Sequence, residues 1–126
     1  MFEYIKEKKN IFIIAGVVLI VVLIILFYFT NSVAGPKGII LFYGEGCSHC
    51  KIVDDFISQN KIEDKVKFTR LEVFNNKDNA GILLQKAGIC KIDQNNIGVP
   101  FLWDGKNCLL GDEDVISFFK KEANIK

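Results

Sequence analysis

Between Ile11 and Phe29 the chain runs for nineteen residues without a charged side chain, almost all of them aliphatic or aromatic. In a helix this spans about 28 Å, close to the hydrocarbon thickness of a bilayer. The run is apolar all round rather than on one face, a poor fit to a helix of a soluble domain. It reads as a transmembrane helix or as a signal peptide. Signal-peptide cores are usually about 7 to 15 residues long, so the length favours an uncleaved anchor, while Ser32-Val33-Ala34 offers small residues where cleavage would fall.

Flanking charge sets the expected orientation. Lys6, Lys8 and Lys9 precede the run and only Lys37 lies shortly after it, while Glu3 and Glu7 count for little under the positive-inside rule. Residues 1–10 are therefore expected in the cytoplasm, 11–29 in the membrane, and the rest outside, where thiols can be oxidised. Residues 30–37 form a small-and-polar linker reaching at most about 28 Å, which keeps the 38–126 domain near the membrane surface. From Lys37 onward twelve lysines and one arginine face thirteen acids, so the net charge is zero. With no basic run, nucleic-acid binding has no electrostatic support. A segment of this size makes one domain with a modest core, to which a disulfide would be a useful addition.

The second constraint is Gly44-Glu45-Gly46-Cys47-Ser48-His49-Cys50, set between an apolar run and an amphipathic one. Gly38-Ile39-Ile40-Leu41-Phe42-Tyr43 suits a buried strand, and Ile52, Val53, Phe56 and Ile57 recur at helical spacing. Two cysteines at such a junction put Cys47 beside the free N–H groups and positive dipole end of a helix, which favours thiolate and a lowered pKa. Cys50, nearly one turn further in, is placed to attack a mixed disulfide formed on Cys47. His49 can donate a hydrogen bond or carry charge that stabilises the thiolate; the alternative is a solvent-facing histidine with no effect on sulfur.

The first helix is expected to run to about Asn60, followed by a polar connection, Ile62 to Lys65. Val66 to Val73 alternates as a strand, parallel to the first because a helix joins them. Asn75 or Asn76 can cap a second helix burying Ile82, Leu83 and Ala87, with Gly88 ending it. A polar loop, Lys91 to Asn96, leads to Ile97-Gly98-Val99-Pro100-Phe101-Leu102-Trp103, then Asp104-Gly105, then Lys106 to Leu110. Asp-Gly between apolar runs is a hairpin signal, and Pro100 belongs at a strand start. Gly111 breaks the last strand, and Asp112 or Asp114 caps a closing helix with Val115, Ile116, Phe118 and Phe119 toward the core. The fold class is α/β, strand-helix-strand-helix-strand-strand-helix with a central mixed sheet, preceded by one membrane helix.

That order, with Cys47 and Cys50 at the first helix, Val99-Pro100 roughly fifty residues later and the Asp104-Gly105 hairpin closed by Gly111, resembles the thioredoxin superfamily in its small, glutaredoxin-like form. The resemblance covers Lys37 to Lys126. It implies a cis Pro100 packed against the dithiol, and a Val99 backbone that pairs with a substrate peptide. The Cys-x-His-Cys pattern is similar to that of protein disulfide isomerases and DsbA-type oxidases. One departure is Leu41: many members carry there a buried acid that accepts a proton from the second cysteine. Glu45 is closer in sequence and could substitute through water, or be a solvated charge.

The resulting expectation is an extracytoplasmic thiol–disulfide oxidoreductase acting on protein thiols or disulfides, without cofactor, as oxidase or isomerase and with a membrane redox partner. The alternatives are a reductase fed by a membrane electron donor, or a non-catalytic membrane-tethered peptide-binding module. A zinc site needs four converging ligands, and only one Cys-x-x-Cys exists, so no metal is expected. Cys90 and Cys108 flank the Val99-Pro100 segment and are expected to form a structural disulfide; otherwise they are two buried, unpaired thiols.

Overall fold

In a computed structural model the chain divides into two units, Met1–Val33 and Ala34–Lys126, and residues 1–30 and 35–126 are described. The expected linker and the Ser32-Val33-Ala34 site fall largely outside the described residues. The first unit is one helix, α1 (Phe2–Thr30). Its Lys8–Tyr28 stretch is long and apolar enough to cross a membrane. The large apolar side chains from Ile11 to Tyr28 stand exposed within it.

The second unit runs β1 (Ile40–Tyr43), α2 (Ser48–Gln59), α3 (Ile62–Lys65), β2 (Thr69–Glu72), α4 (Lys77–Ile89), β3 (Phe101–Trp103), β4 (Cys108–Leu110) and α5 (Asp112–Glu122). The four strands form one mixed sheet in the order β2-β1-β3-β4. β1 pairs parallel to β2, with Tyr43 opposite Glu72, and antiparallel to β3, with Phe42 opposite Phe101. The β3–β4 hairpin turns at Asp104-Gly105 and sets Trp103 opposite Cys108. Asp104 fixes that turn by accepting from the backbone N–H groups of Lys106 and Asn107 at 2.7 and 2.6 Å.

The central strand explains its own sequence. Leu41 and Leu102 point to one face and pack with Val53, Ile57, Val115 and Phe119 of α2 and α5. Ile40, Phe42, Phe101 and Trp103 point to the other and pack with Ile82, Leu83 and Ala87 of α4. A strand buried on both faces reads as a continuous apolar run, as β1 does. The outcome is three layers, with α2 and α5 on one side of the sheet and α4 on the other.

Several boundaries differ from the sequence reading. The polar connection after α2 contains a helical turn, α3, because Ile62 is fully buried and pulls the segment against the core. The loop before β3 holds a 3-10 turn, Gln94–Asn96, capped by Asp93. Ile52 faces outward, 46% exposed. Gly88 does not end α4, which runs to Ile89. The left-handed position is Lys91 (φ 57°), where Lys91 N–H bonds to Gly88 O and Ile92 N–H to Ala87 O, a Schellman ending built without glycine. Neither Asp112 nor Asp114 caps α5. Gly111 (φ 87°) occupies that position, and the acids lie in the first turn, where they complement the helix dipole.

Candidate functional site: a dithiol loop at the end of the central strand

The site begins where β1 leaves the sheet. Gly46 turns at φ 77°, a conformation open to glycine, and delivers Cys47 as the N-cap of α2. Cys47 and Cys50 are joined as a disulfide with Cα atoms 5.2 Å apart. The Cys50 N–H donates to Cys47 Sγ at 3.1 Å. Cys47 therefore occupies the place where a helix presents unpaired N–H groups and its positive dipole end, and any charge on that sulfur is stabilised there. The two sulfurs differ in access: Cys47 is half-buried, whereas Cys50 is 3% exposed. A nucleophile from solvent meets Cys47 first.

Cys47 Sγ lies 3.6 Å from the carbonyl oxygen of Val99, and the Val99–Pro100 peptide bond is cis. Pro100 is fully buried immediately ahead of β3. The structure thus brings Cys47, Cys50, Val99 and Pro100 together from segments about fifty residues apart. His49 sits in the first turn of α2, 67% exposed, with its Nδ1 2.8 Å from Asp112 Oδ1 at the start of α5. Cys90 and Cys108 form a second disulfide, Cα atoms 6.2 Å apart, joining the end of α4 to β4. Lys86 Nζ stands 5.2 Å from the Trp103 ring centroid beside it.

A carboxylate holds the dithiol loop from the neighbouring strand. Glu72, at the end of β2, accepts from the backbone N–H groups of Glu45 (3.3 Å), Phe74 (2.8 Å) and Asn75 (2.9 Å). Asn75 in turn donates its side-chain amide to Glu45 at 3.0 Å. Desolvation opposes ionisation of Glu72, but the backbone N–H groups of Asn75, Phe74, Glu45 and Asn76 outweigh it and hold the carboxyl below the usual range. The ring of Phe74 lies on Gly44, where any Cβ would collide with it. Leu41, the position of the buried acid in the resemblance, is fully buried in the core, and Glu45 is tied to Asn75.

Beside the disulfide is an open cleft of about 390 Å³, lined by Tyr43, Cys47, Cys50, Lys51 and Asp54 among others. Among the described residues no three His, Cys, Asp or Glu side chains converge as a metal site. No protein-family model matches the chain, and no curated protein is similar to it. The sequence reading missed Glu72, Asp112 and Asp54. Asp54 had a signal, since it follows Cys50 by four residues on a helix and so shares its face. Glu72 and Asp112 had none, because their partners lie 27 and 63 positions away.

Proposed function

We propose that this chain is a membrane-anchored, extracytoplasmic thiol–disulfide oxidoreductase of thioredoxin-like fold, acting on protein cysteines through Cys47 and Cys50 as an oxidase or isomerase. The observation that carries it is the asymmetric cysteine pair at the start of α2: an accessible Cys47 under the helix N–H groups and 3.6 Å from the Val99 carbonyl, and a buried Cys50 behind it. The β2-β1-β3-β4 sheet with helices on both faces supports the fold. The apolar helix and the lysines before it support a single span by residues 11–29, with 1–10 inside and 38–126 outside.

The chemistry follows from the access order. A client thiolate, its backbone laid along Val99, attacks Cys47 Sγ. The Cys47–Cys50 bond breaks and Cys50 leaves as a thiolate, which takes up a proton. A second client thiolate then attacks the client sulfur bound to Cys47, and Cys47 departs as a thiolate stabilised by the helix end. Two electrons pass from client to domain and the client leaves with a disulfide. A membrane-embedded electron acceptor is needed to restore the Cys47–Cys50 bond. His49 supports the Cys47 thiolate, and the Cys90–Cys108 bond braces the hairpin that presents Val99.

The deciding experiment titrates the full chain in detergent against glutathione and follows oxidation of a peptide with two cysteines. The expected result is peptide oxidation that requires Cys47, with a potential well above that of a reducing thioredoxin, about −270 mV. A potential near that value would replace the oxidase with a reductase. No exchange at Cys47 would leave a peptide-binding module.

A further inference from the structure

When the disulfide opens, the negative charge appears on the sulfur least able to hold it in solvent. Cys50 is 3% exposed, and Val53, three residues on in α2, belongs to the apolar core with Leu41. No buried polar or charged side chain is found among the described residues, so no group inside the core can exchange a proton with Cys50. A thiolate left in such surroundings is costly, and the proton has to arrive from outside.

The open cleft offers a path. It is lined by both cysteines and by Asp54. Asp54 lies one helical turn beyond Cys50 on the same face of α2, a spacing of about 6 Å between Cβ atoms. The cleft is large enough for several waters, each occupying about 30 Å³. Asp54 is not a loose surface acid: it forms an ion pair with Arg70 of β2, and the Arg70 guanidinium lies 5.2 Å from the ring centroid of Tyr43, itself a cleft residue. Both side chains keep a third or more of their surface open, 38% for Asp54 and 33% for Arg70. The carboxylate is thus held in place in the lining of the cleft while still in touch with bulk solvent.

We infer that Asp54 is the proton relay for Cys50, an inference that rests on the redox reading above. As a client thiolate takes Cys47 and the S–S bond breaks, the Cys50 sulfur receives a proton from a cleft water that Asp54 resupplies from solvent. When an acceptor protein's disulfide re-oxidises the pair, the Cys47 thiolate first attacks that disulfide and displaces one acceptor thiolate. The Cys50 thiol then returns its proton by the same path, and its thiolate attacks Cys47 Sγ and displaces the second acceptor thiolate. Arg70 positions the carboxylate rather than touching the sulfur. The other charged or titratable groups around Asp54 are Tyr43 and Glu45 from β1 and the loop after it, and Lys51 on α2, which is engaged by Asp55 at 3.1 Å. Across a second cleft that Asp54 also lines are Lys61 ahead of α3 and, on α3, Glu63 and Asp64, with Glu63 at 3.7 Å from Arg70.

The test is the single-turnover oxidation of a two-cysteine peptide by the oxidised full chain in detergent, measured from pH 5 to 8. Asp54→Asn is expected to slow turnover on the order of a hundredfold, to change the shape of the pH–rate profile, and to leave peptide affinity unchanged. Asp54→Ser should behave alike, and Asp54→Glu should recover most of the rate. Glu63→Gln, which loosens the same ion-pair cluster outside the cleft, should keep the wild-type profile. Asp54→Asn and Asp54→Ser profiles that superimpose on wild type would overturn the relay, whatever their thermal stability. So would an equal loss in Glu63→Gln, which would mark a structural effect. If instead the wild-type chain exchanges no thiols, or exchanges them equally well as Cys47→Ser, the redox reading itself has failed.

Discussion

Asp112 Oδ1 lies 2.8 Å from His49 Nδ1, so the first turn of α5 holds the ring that stands between the two cysteines in sequence. The contact turns an exposed side chain into one with a fixed direction. Asp112 is the first helical residue of α5, one position past Gly111 at the N-cap, and its side chain pairs with His49.

The pair gives a double-mutant prediction. His49→Ala should lower the reduction potential of Cys47–Cys50, because it removes a group that stabilises the reduced form; a tenfold change in the equilibrium constant is about 30 mV. If Asp112 orients the ring, the same substitution in an Asp112→Asn background should cost less than half as many millivolts. Glutathione titration of the four proteins measures it, and equal drops in both backgrounds would remove Asp112 from the site.

Cys50→Ala should abolish client oxidation, since no Cys47–Cys50 bond can form, and should arrest the isomerising direction half-way. A client disulfide attacked by Cys47 then has no resolving thiol behind it, and clients should accumulate covalently on Cys47 as species sensitive to reductant. Non-reducing electrophoresis of cells carrying this variant shows the adducts, and a Cys47→Ala, Cys50→Ala double variant should show none.

Glu72 adds a pH-dependent contribution to the stability of the domain. Its folded pKa is below the reference value of 4.5, so the unfolded state binds the proton more tightly. The stabilisation is therefore fully present above about pH 4.5 and is lost as pH falls through the lower folded value. Asp104, held below its reference value of 3.8 against desolvation by Asn107 and Lys106, acts in the same direction. Denaturant midpoints collected from pH 3 to 7 should fall on the acid side in wild type and fall less steeply in Glu72→Gln. Parallel curves would show that the clasp on Glu45, Phe74 and Asn75 carries no linkage.

Replacing both Cys90 and Cys108 by Ser should destabilise the domain by about 3 kcal/mol, the chain-entropy value for a bridge closing a loop of this length, which spans 18 positions. Denaturation of the full chain in detergent, with the Cys47–Cys50 pair kept in one state, tests it. A loss below about 1 kcal/mol would show that the bond does little for the fold.

The topology can be read with a protease. Added to spheroplasts, it should remove the 38–126 domain from the outside. Protection until the membrane is lysed would reverse the orientation argued from Lys6, Lys8 and Lys9.

What the sequence made legible were features written in local periodicity. Ile82, Leu83 and Ala87 face the core as their spacing implies, and Val53, Ile57, Val115 and Phe119 do likewise. Asn76 caps α4 through bonds from Asp78 and Asn79. One helix end was misplaced for a local reason: Lys91 takes the left-handed conformation after α4, so the residue type gave no glycine to mark the stop, whereas the end of α2 at Asn60 was legible. The supports of the dithiol loop were hidden differently. Glu72 and Asp112 are ordinary acids in the sequence, and only the parallel register of Tyr43 with Glu72 and the approach of α5 to α2 give them partners.

The dithiol loop is an extension of β1, one of the two strands with neighbours on both sides and side chains buried on both faces. In native-state hydrogen exchange such a strand opens only with the whole sheet, whereas edge strands and helix ends open in smaller excursions. The amides of Ile40 to Phe42 should therefore be among the last to exchange, in the oxidised and the reduced protein alike. A site rooted in the slowest-opening element can change its covalent state repeatedly while the frame that aims Cys47 at Val99 stays closed.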